Sequence, residues 1–360
     1  LWFVIPNKEI SVEELLKDIK LKQTPVFIEC EFLSEDYIKI LQSLQKTYNL
    51  KLGVDIIGNL VEDGNWFQNK DADHKILDAV ISKDVLSINA SLYQNAGATI
   101  PQELAYTMAH INEYLNHFQD NKEINFSVKV SVGSNYFFEI AKLRALRSLY
   151  ATLAKEYGVS GELNIVAQPT KRNKTIYDYN INMLRTTTEY MSAIIGGSNT
   201  ICSDAYDSLY HKNNEFGERI ARNQLLILRE ESYFKASNNP AKGSYYIEYL
   251  TRQLSEKALI LFKNIETGGG FLSQLKKGVI QKKIKETASK EQDLFNSGKL
   301  ILLGTNIHQN QEDQMKDNLE LYPFSKSNTR KTLIEPILER RLSEINEQER
   351  LKKENKDEKI

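Results

Sequence analysis

Short β-prone apolar runs recur along the chain at 1–5, 25–30, 52–57, 85–90, 124–132, 163–168 and 200–204. Between them the apolar positions switch to a spacing of three and four. Leu104, Met108, Ile111, Leu115 and Phe118 form one such stripe, and Ile140, Leu143, Leu146, Leu149 and Leu153 another, which is the pattern of a helix with one face against a core. Strand and helix therefore alternate. That alternation predicts a parallel sheet, because parallel neighbours need a crossover that covers the sheet. An open doubly wound sheet and a closed barrel both satisfy it. Seven strands, with the first residue already inside an apolar run, favour an eight-stranded barrel whose first unit lies outside this chain.

Beyond Asp204 helical spacing takes over, at 215–231 and 244–266, the latter with Ile247, Leu250, Leu254, Ala258, Leu261 and Ile265 on one stripe and the glycines at 268–270 as its stop. A short strand is expected at 299–303. From Asn328 the composition shifts, and 335–360 is dense in mixed charge, which reads as an exposed helix or linker. No internal repeat of fixed period is visible.

The 360 residues carry 47 Lys and Arg against 48 Asp and Glu. That length suits about two domains or one α/β barrel with additions. The near-zero net charge supplies no field to gather nucleic acid or an anionic membrane. Cys30 and Cys202 are far apart, with no CxxC pair, so they read as reduced core thiols of a cytoplasmic protein. No apolar run approaches the ~20 residues that span a bilayer. The start lacks Met and a basic leader, so a fragment is expected rather than a signal peptide.

Chemistry is sparse. The histidines are His74, His110, His117, His211 and His308, and lone helical ones such as His110 and His117 read as surface or capped side chains. There is no GxSxG elbow, Walker A loop or GxGxxG turn, and the pair Gly196–Gly197 reads as a helix end. Asp55, Glu62 and Asp63 follow a strand at the end where barrels place their active sites. With no partner visible for them, they read as a solvated rim or a protein contact. Trp2 and Trp66 read as core or interface aromatics.

Longer strings say more. SINASLYQNAGATIPQELAYTMAHINEYL from residue 87, NYFFEIAKLRALRSLY from 135, YNINMLRTTTEYMSAIIGG from 179, FGERIARNQLLILREES from 216 and GSYYIEYLTRQLSEKALILFKNIETGGG from 243 resemble, in the same order, the cobalamin-dependent acyl-CoA mutases. Within that family the strings are most similar to small subunits of bacterial two-subunit methylmalonyl-CoA mutases. The resemblance implies a (β/α)8 barrel at 1–240 lacking its first strand, a helical extension at 241–330, and a charged helical linker at 331–360 leading toward a cobalamin-type domain. It also implies coenzyme A threaded along the barrel axis and radical interconversion of succinyl-CoA and (R)-methylmalonyl-CoA.

The departures from the family pattern are specific. Catalytic subunits carry a string like SGYHMQEAGA, whose imidazole binds the migrating carbonyl; here NASLYQNAGA puts Leu92 at that position, expected on a strand as barrel filling. Their HCQTSGW is VAQPTKR here, so Gln168 matches as a vestigial substrate-binding residue, while Val166 replaces a histidine and Arg172 an indole. Asn125 stands where an arginine would face the coenzyme A phosphates. The cobalamin-ligand motif DxHxxG is absent, since the residues two before each histidine are Ala72, Met108, Leu115, Leu209 and Asn306. The resemblance thus implies no catalytic, cofactor-binding or metal-binding residue in this chain. Adenosylcobalamin is expected on a large subunit, which is the implied partner; no nucleic acid or membrane partner is expected. A competent radical mutase acting on a related acyl-CoA and a free-standing acyl-CoA-binding protein are the alternatives. A barrel short of one strand exposes two strand edges, and poor solubility in isolation is expected from that.

Overall fold

A computed structural model describes residues 1–17, 25–80, 85–236, 238–326 and 330–357. Asn328, where the composition shifts, and the last residues, 358–360, lie outside them. Seven strands form one sheet: β1 (Trp2–Ile5), β2 (Val26–Cys30), β3 (Leu50–Val54), β4 (Val85–Asn89), β5 (Phe126–Val132), β6 (Leu163–Pro169) and β7 (Thr200–Ile201). The helices are α1 (Val12–Leu16), α2 (Glu35–Leu44), α3 (Ile56–Asp63), α4 (Lys70–Val80), α5 (Ser91–Asn95), α6 (Ile100–His117), α7 (Tyr136–Tyr157), α8 (Ile181–Ile195), α9 (Glu215–Glu230), α10 (Tyr245–Thr267), α11 (Phe271–Lys276), α12 (Val279–Asn296) and α13 (Glu344–Asp357).

Every strand pairs in parallel with its sequence neighbour, in the order β1 through β7. A doubly wound sheet reverses its strand order part-way; this one does not. The sheet also curls. Glu29 on β2 and Lys129 on β5 are three strands apart, about 14 Å on a flat sheet at the usual strand spacing, yet their charged ends meet at 2.9 Å. The molecule is a partial (β/α)8 barrel.

Side chains alternate across the sheet. Ile28, Leu52, Leu86, Ile88, Phe126, Val128, Val130 and Ile165 are buried beneath the helices. The other face, toward the barrel axis, carries Glu29, Ser87, Asn89, Ser127, Lys129, Ser131, Asn164 and Gln168, registered in rows. The β3 run ends before its predicted residue 57 because Asp55 leaves the strand to cap α3, accepting the Gly58 amide at 2.7 Å. Gln102 accepts the Thr99 amide to open α6, and left-handed Gly158 closes α7. The α10 stripe packs on α6 and α7 and joins the main core.

Two expectations need correction. At 299–303 there is no strand, only an isolated bridge from Leu303 to Ile307, because no neighbouring strand edge offers a ladder. The charged segment does form a helix over 344–357, one of its two expected forms, but it is not exposed as expected. Ile334, Ile337, Leu342 and Leu351 are buried on the barrel, as are Arg341 and Glu347, which pair with each other at 2.7 Å. Pairing is what lets such charges leave water.

Candidate functional site at the barrel mouth

The C-terminal ends of the strands hold the positions that matter. Leu92 is buried there, on the short helix α5 rather than on a strand, because the chain turns as soon as β4 ends. Asn95 of that helix accepts the Thr170 hydroxyl at 2.8 Å and the Lys171 amide at 3.0 Å, which locks α5 against the loop after β6. Val166 and Gln168 lie on β6, in register with Lys129 and Ser131 of β5. Val166 is fully buried. The Gln168 amide makes no hydrogen bond among the described residues.

Arg172 has a different employment from an indole. Its Nε meets Glu291 at 2.5 Å, its Nη1 donates to the Arg340 carbonyl at 2.7 Å, and its own carbonyl accepts from the Leu342 amide. It fastens the covering segment to the barrel. Asn125 sits at the opposite end, where its amide stitches the starts of β5 and β6 by accepting from the Glu162 backbone. The structure therefore brings Leu92, Gln168 and Arg172 toward one mouth, sets Val166 mid-strand below it, and leaves Asn125 at the opposite end.

Two of the three acidic residues after β3, Asp55 and Asp63, are partnered, contrary to expectation, while Glu62 lies on the exposed rim. Asp63 pairs with Arg330. Burial raises the Glu62 carboxyl pKa, and Glu339 adds to the rise while Lys171 opposes it; Lys171 itself pairs with Glu339 at 2.7 Å. Asp55 accepts from the Asn89 amide, from Tyr114 Oη at 2.8 Å and from His110 Nε2 at 3.0 Å. Burial works to raise its pKa, and the His110 charge with these hydrogen bonds overcomes that, leaving the carboxyl below its ordinary value.

His110 is no surface histidine: it is fully buried. An ionised Asp55 can only accept, so Nε2 carries a hydrogen toward it, and Nδ1 shares a hydrogen bond with Tyr93 Oη at 3.2 Å. A second buried cluster escaped the sequence reading: Lys142 Nζ lies 3.0 Å from Glu103 and 2.6 Å from Glu139. The signal was a charged residue on each otherwise apolar helix stripe. Trp2 stacks on Phe27 and donates to Glu29, and Trp66 is buried against His74. The Cys30 and Cys202 thiols are free, and burial pushes them up to about 12 and about 11.

No helix among the described residues is long and apolar enough to cross a membrane, and none of their side chains cluster to hold a metal. The sequence pattern of the family described as methylmalonyl-CoA mutase matches residues 52–356. The chain belongs to the methylmalonyl-CoA mutase family. A methylmalonyl-CoA mutase small subunit of Porphyromonas gingivalis is 39% identical over 66% of this chain and 40% of its own length. The large subunit of the same organism is 31% identical over 66% and 34%, and the Escherichia coli methylmalonyl-CoA mutase 29% over 66% and 35%. The chain thus spans between a third and two fifths of these curated relatives. The family is generally adenosylcobalamin-dependent. No histidine here stands in the family's cobalt-ligand motif DxHxxG, and three of the five are engaged, His110 at both ring nitrogens and His117 and His211 with Asp78 and Asp207.

Proposed function

We propose that this chain is the barrel of a non-catalytic small subunit of a cytoplasmic methylmalonyl-CoA mutase. In this reading it stabilises a heterodimer whose large subunit carries adenosylcobalamin and the isomerisation of succinyl-CoA to (R)-methylmalonyl-CoA. The observation that carries the reading is the pair Leu92 and Val166. Both are buried, Leu92 at the mouth and Val166 mid-strand on β6, and both stand where the family pattern has imidazoles. Neither can donate a hydrogen bond. Removal of one such donor costs ~10² to 10³ in rate, and Arg172, committed to Glu291 and Arg340, supplies no replacement. A partner that binds only the folded barrel stabilises it by mass action and needs no chemistry from it.

The relatives support a pairing, since one organism has subunits named small and large that both match this chain. The test is co-expression of the full-length protein with its organism's large subunit, followed by size-exclusion chromatography and a mutase assay on each species. Co-elution in equal amounts with activity that follows the large subunit alone is expected. Turnover of an acyl-CoA by the isolated protein would overturn the reading. It would favour the second one, a competent mutase acting on a related acyl-CoA, which draws on the unbonded Gln168 amide and the small polar residues facing the axis.

A further inference from the structure

Gln94 of α5 reaches a buried ionic cluster with both ends of its amide. Its Nε2 donates to Glu139 Oε1 at 2.9 Å, and its Oε1 accepts from Lys142 Nζ at 3.1 Å. The Lys142 ammonium is over-subscribed. Besides Gln94 it faces the Ser131 carbonyl at 2.5 Å, Glu139 Oε2 at 2.6 Å and Glu103 Oε2 at 3.0 Å, which makes four acceptors for three hydrogens. Glu139 Oε2 and both carboxylate oxygens of Glu103 accept no hydrogen bond among the described residues. The three charged side chains are at most 2% exposed, so bulk water does not screen them. Neighbouring elements add little charge. The α10 helix, which packs on α6 and α7, buries the apolar Leu250, Leu254 and Ala258, and Glu189 of α8 is already paired with Lys174 at 2.7 Å.

We infer that the proton on Glu103 decides whether Lys142 can hold Gln94, and thereby sets how firmly α5 is seated at the barrel mouth. With Glu103 neutral, the ammonium serves Ser131, Glu139 and Gln94, one hydrogen to each. With Glu103 ionised it is drawn to the new charge, because bonds between charged groups are the stronger ones. It then gives up the acceptor that is both uncharged and farthest, Gln94 Oε1. The change falls near neutrality, since burial raises the Glu103 carboxyl to about 7. The output is Asn95, the next residue of α5. Its side chain accepts the Lys171 amide at 3.0 Å, and its carbonyl accepts the Arg340 amide at 3.0 Å, so a looser α5 loosens both the loop after β6 and the segment that covers it. None of this rests on the mutase reading.

The test is amide hydrogen exchange on the full-length protein at pH 6 and pH 8, corrected for intrinsic rates. The amides of Lys171 and Arg340 are the reporters, and those of α7 the reference. Relative to α7, the reporters are expected to exchange about threefold faster or more at pH 8 than at pH 6. Glu103→Gln, which carries no charge at either pH, is expected to keep the slow rate at both. Gln94→Met, which cannot bond Lys142, is expected to exchange fast at both. Thermal melts check that each variant is folded, and either one reads the proposal without the other. Reporters that keep pace with α7 in the unaltered protein overturn the inference. So does a pH response that survives Glu103→Gln, or a folded Gln94→Met variant that stays slow at pH 6.

Discussion

A buried ammonium between two carboxylates leaves one negative charge uncompensated, and at Lys142 that imbalance has an outlet. Burial pushes the Glu103 carboxyl up to about 7, with Lys142 opposing and Glu139 adding to the rise. The folded state therefore holds a proton that the unfolded chain releases near the ordinary value of 4.5. Stability falls as pH rises between those values, because the native state binds the more protons there. Glu103→Gln removes this slope, and melting temperatures at pH 5 and pH 8 will converge in the variant relative to the unaltered chain. Lys142→Met strands both carboxylates and costs ~3 to 5 kcal/mol in urea unfolding. Asp55→Ala orphans the amides of Gly58 and Asn89 along with Tyr114 and His110, and a loss of roughly 3 kcal/mol by the same measurement is expected from the unmade bonds. Leu92, Val166, Gln168 and Arg172 could be singled out from sequence strings alone, though not where in the barrel they lie. The partners of Asp55 could not, because His110 lies 55 positions away and only the folded packing of α3, β4 and α6 brings them together.

At the scale of elements, what was legible was what is local. Six of the seven strands and the long helices lie within a few residues of where period and capping put them, since both signals depend on neighbours in the chain. The third strand slipped because Asp55 serves a cap instead of a ladder. The region at 299–303 had strand-like residues but no edge to join, and the charged tail had a composition that conceals its buried pairs. Gly64 shows how an element end reaches beyond itself. It closes α3 at a φ of 82°, and its carbonyl accepts from Leu333 and Ile334. A methyl group there would lie 2.8 Å from the Ile334 carbonyl. Gly64→Ala is strained both in conformation and by that contact, so it will loosen residues 330–337 and make them the first site cut in limited proteolysis, ahead of any change in far-UV circular dichroism.

The barrel loop after β6 is covered by residues 341–354. Arg341 donates to the Lys174 carbonyl, Glu347 accepts the Ile176 amide, and Glu354 accepts from Tyr177, so the barrel loop after β6 is satisfied only when 341–354 is in place. Across the same mouth, Asn95 donates to Glu339 over a separation of 244 residues. That distance along the chain has a meaning in time. At roughly 5 to 20 residues per second of synthesis, the amide of Asn95 waits on the order of 12 to 50 s for its acceptor to leave the ribosome. During that interval the barrel has strands but no cover, and its rim is open to chaperones and to neighbouring nascent chains. The speed at which this protein is translated thus sets how long its rim stands unprotected.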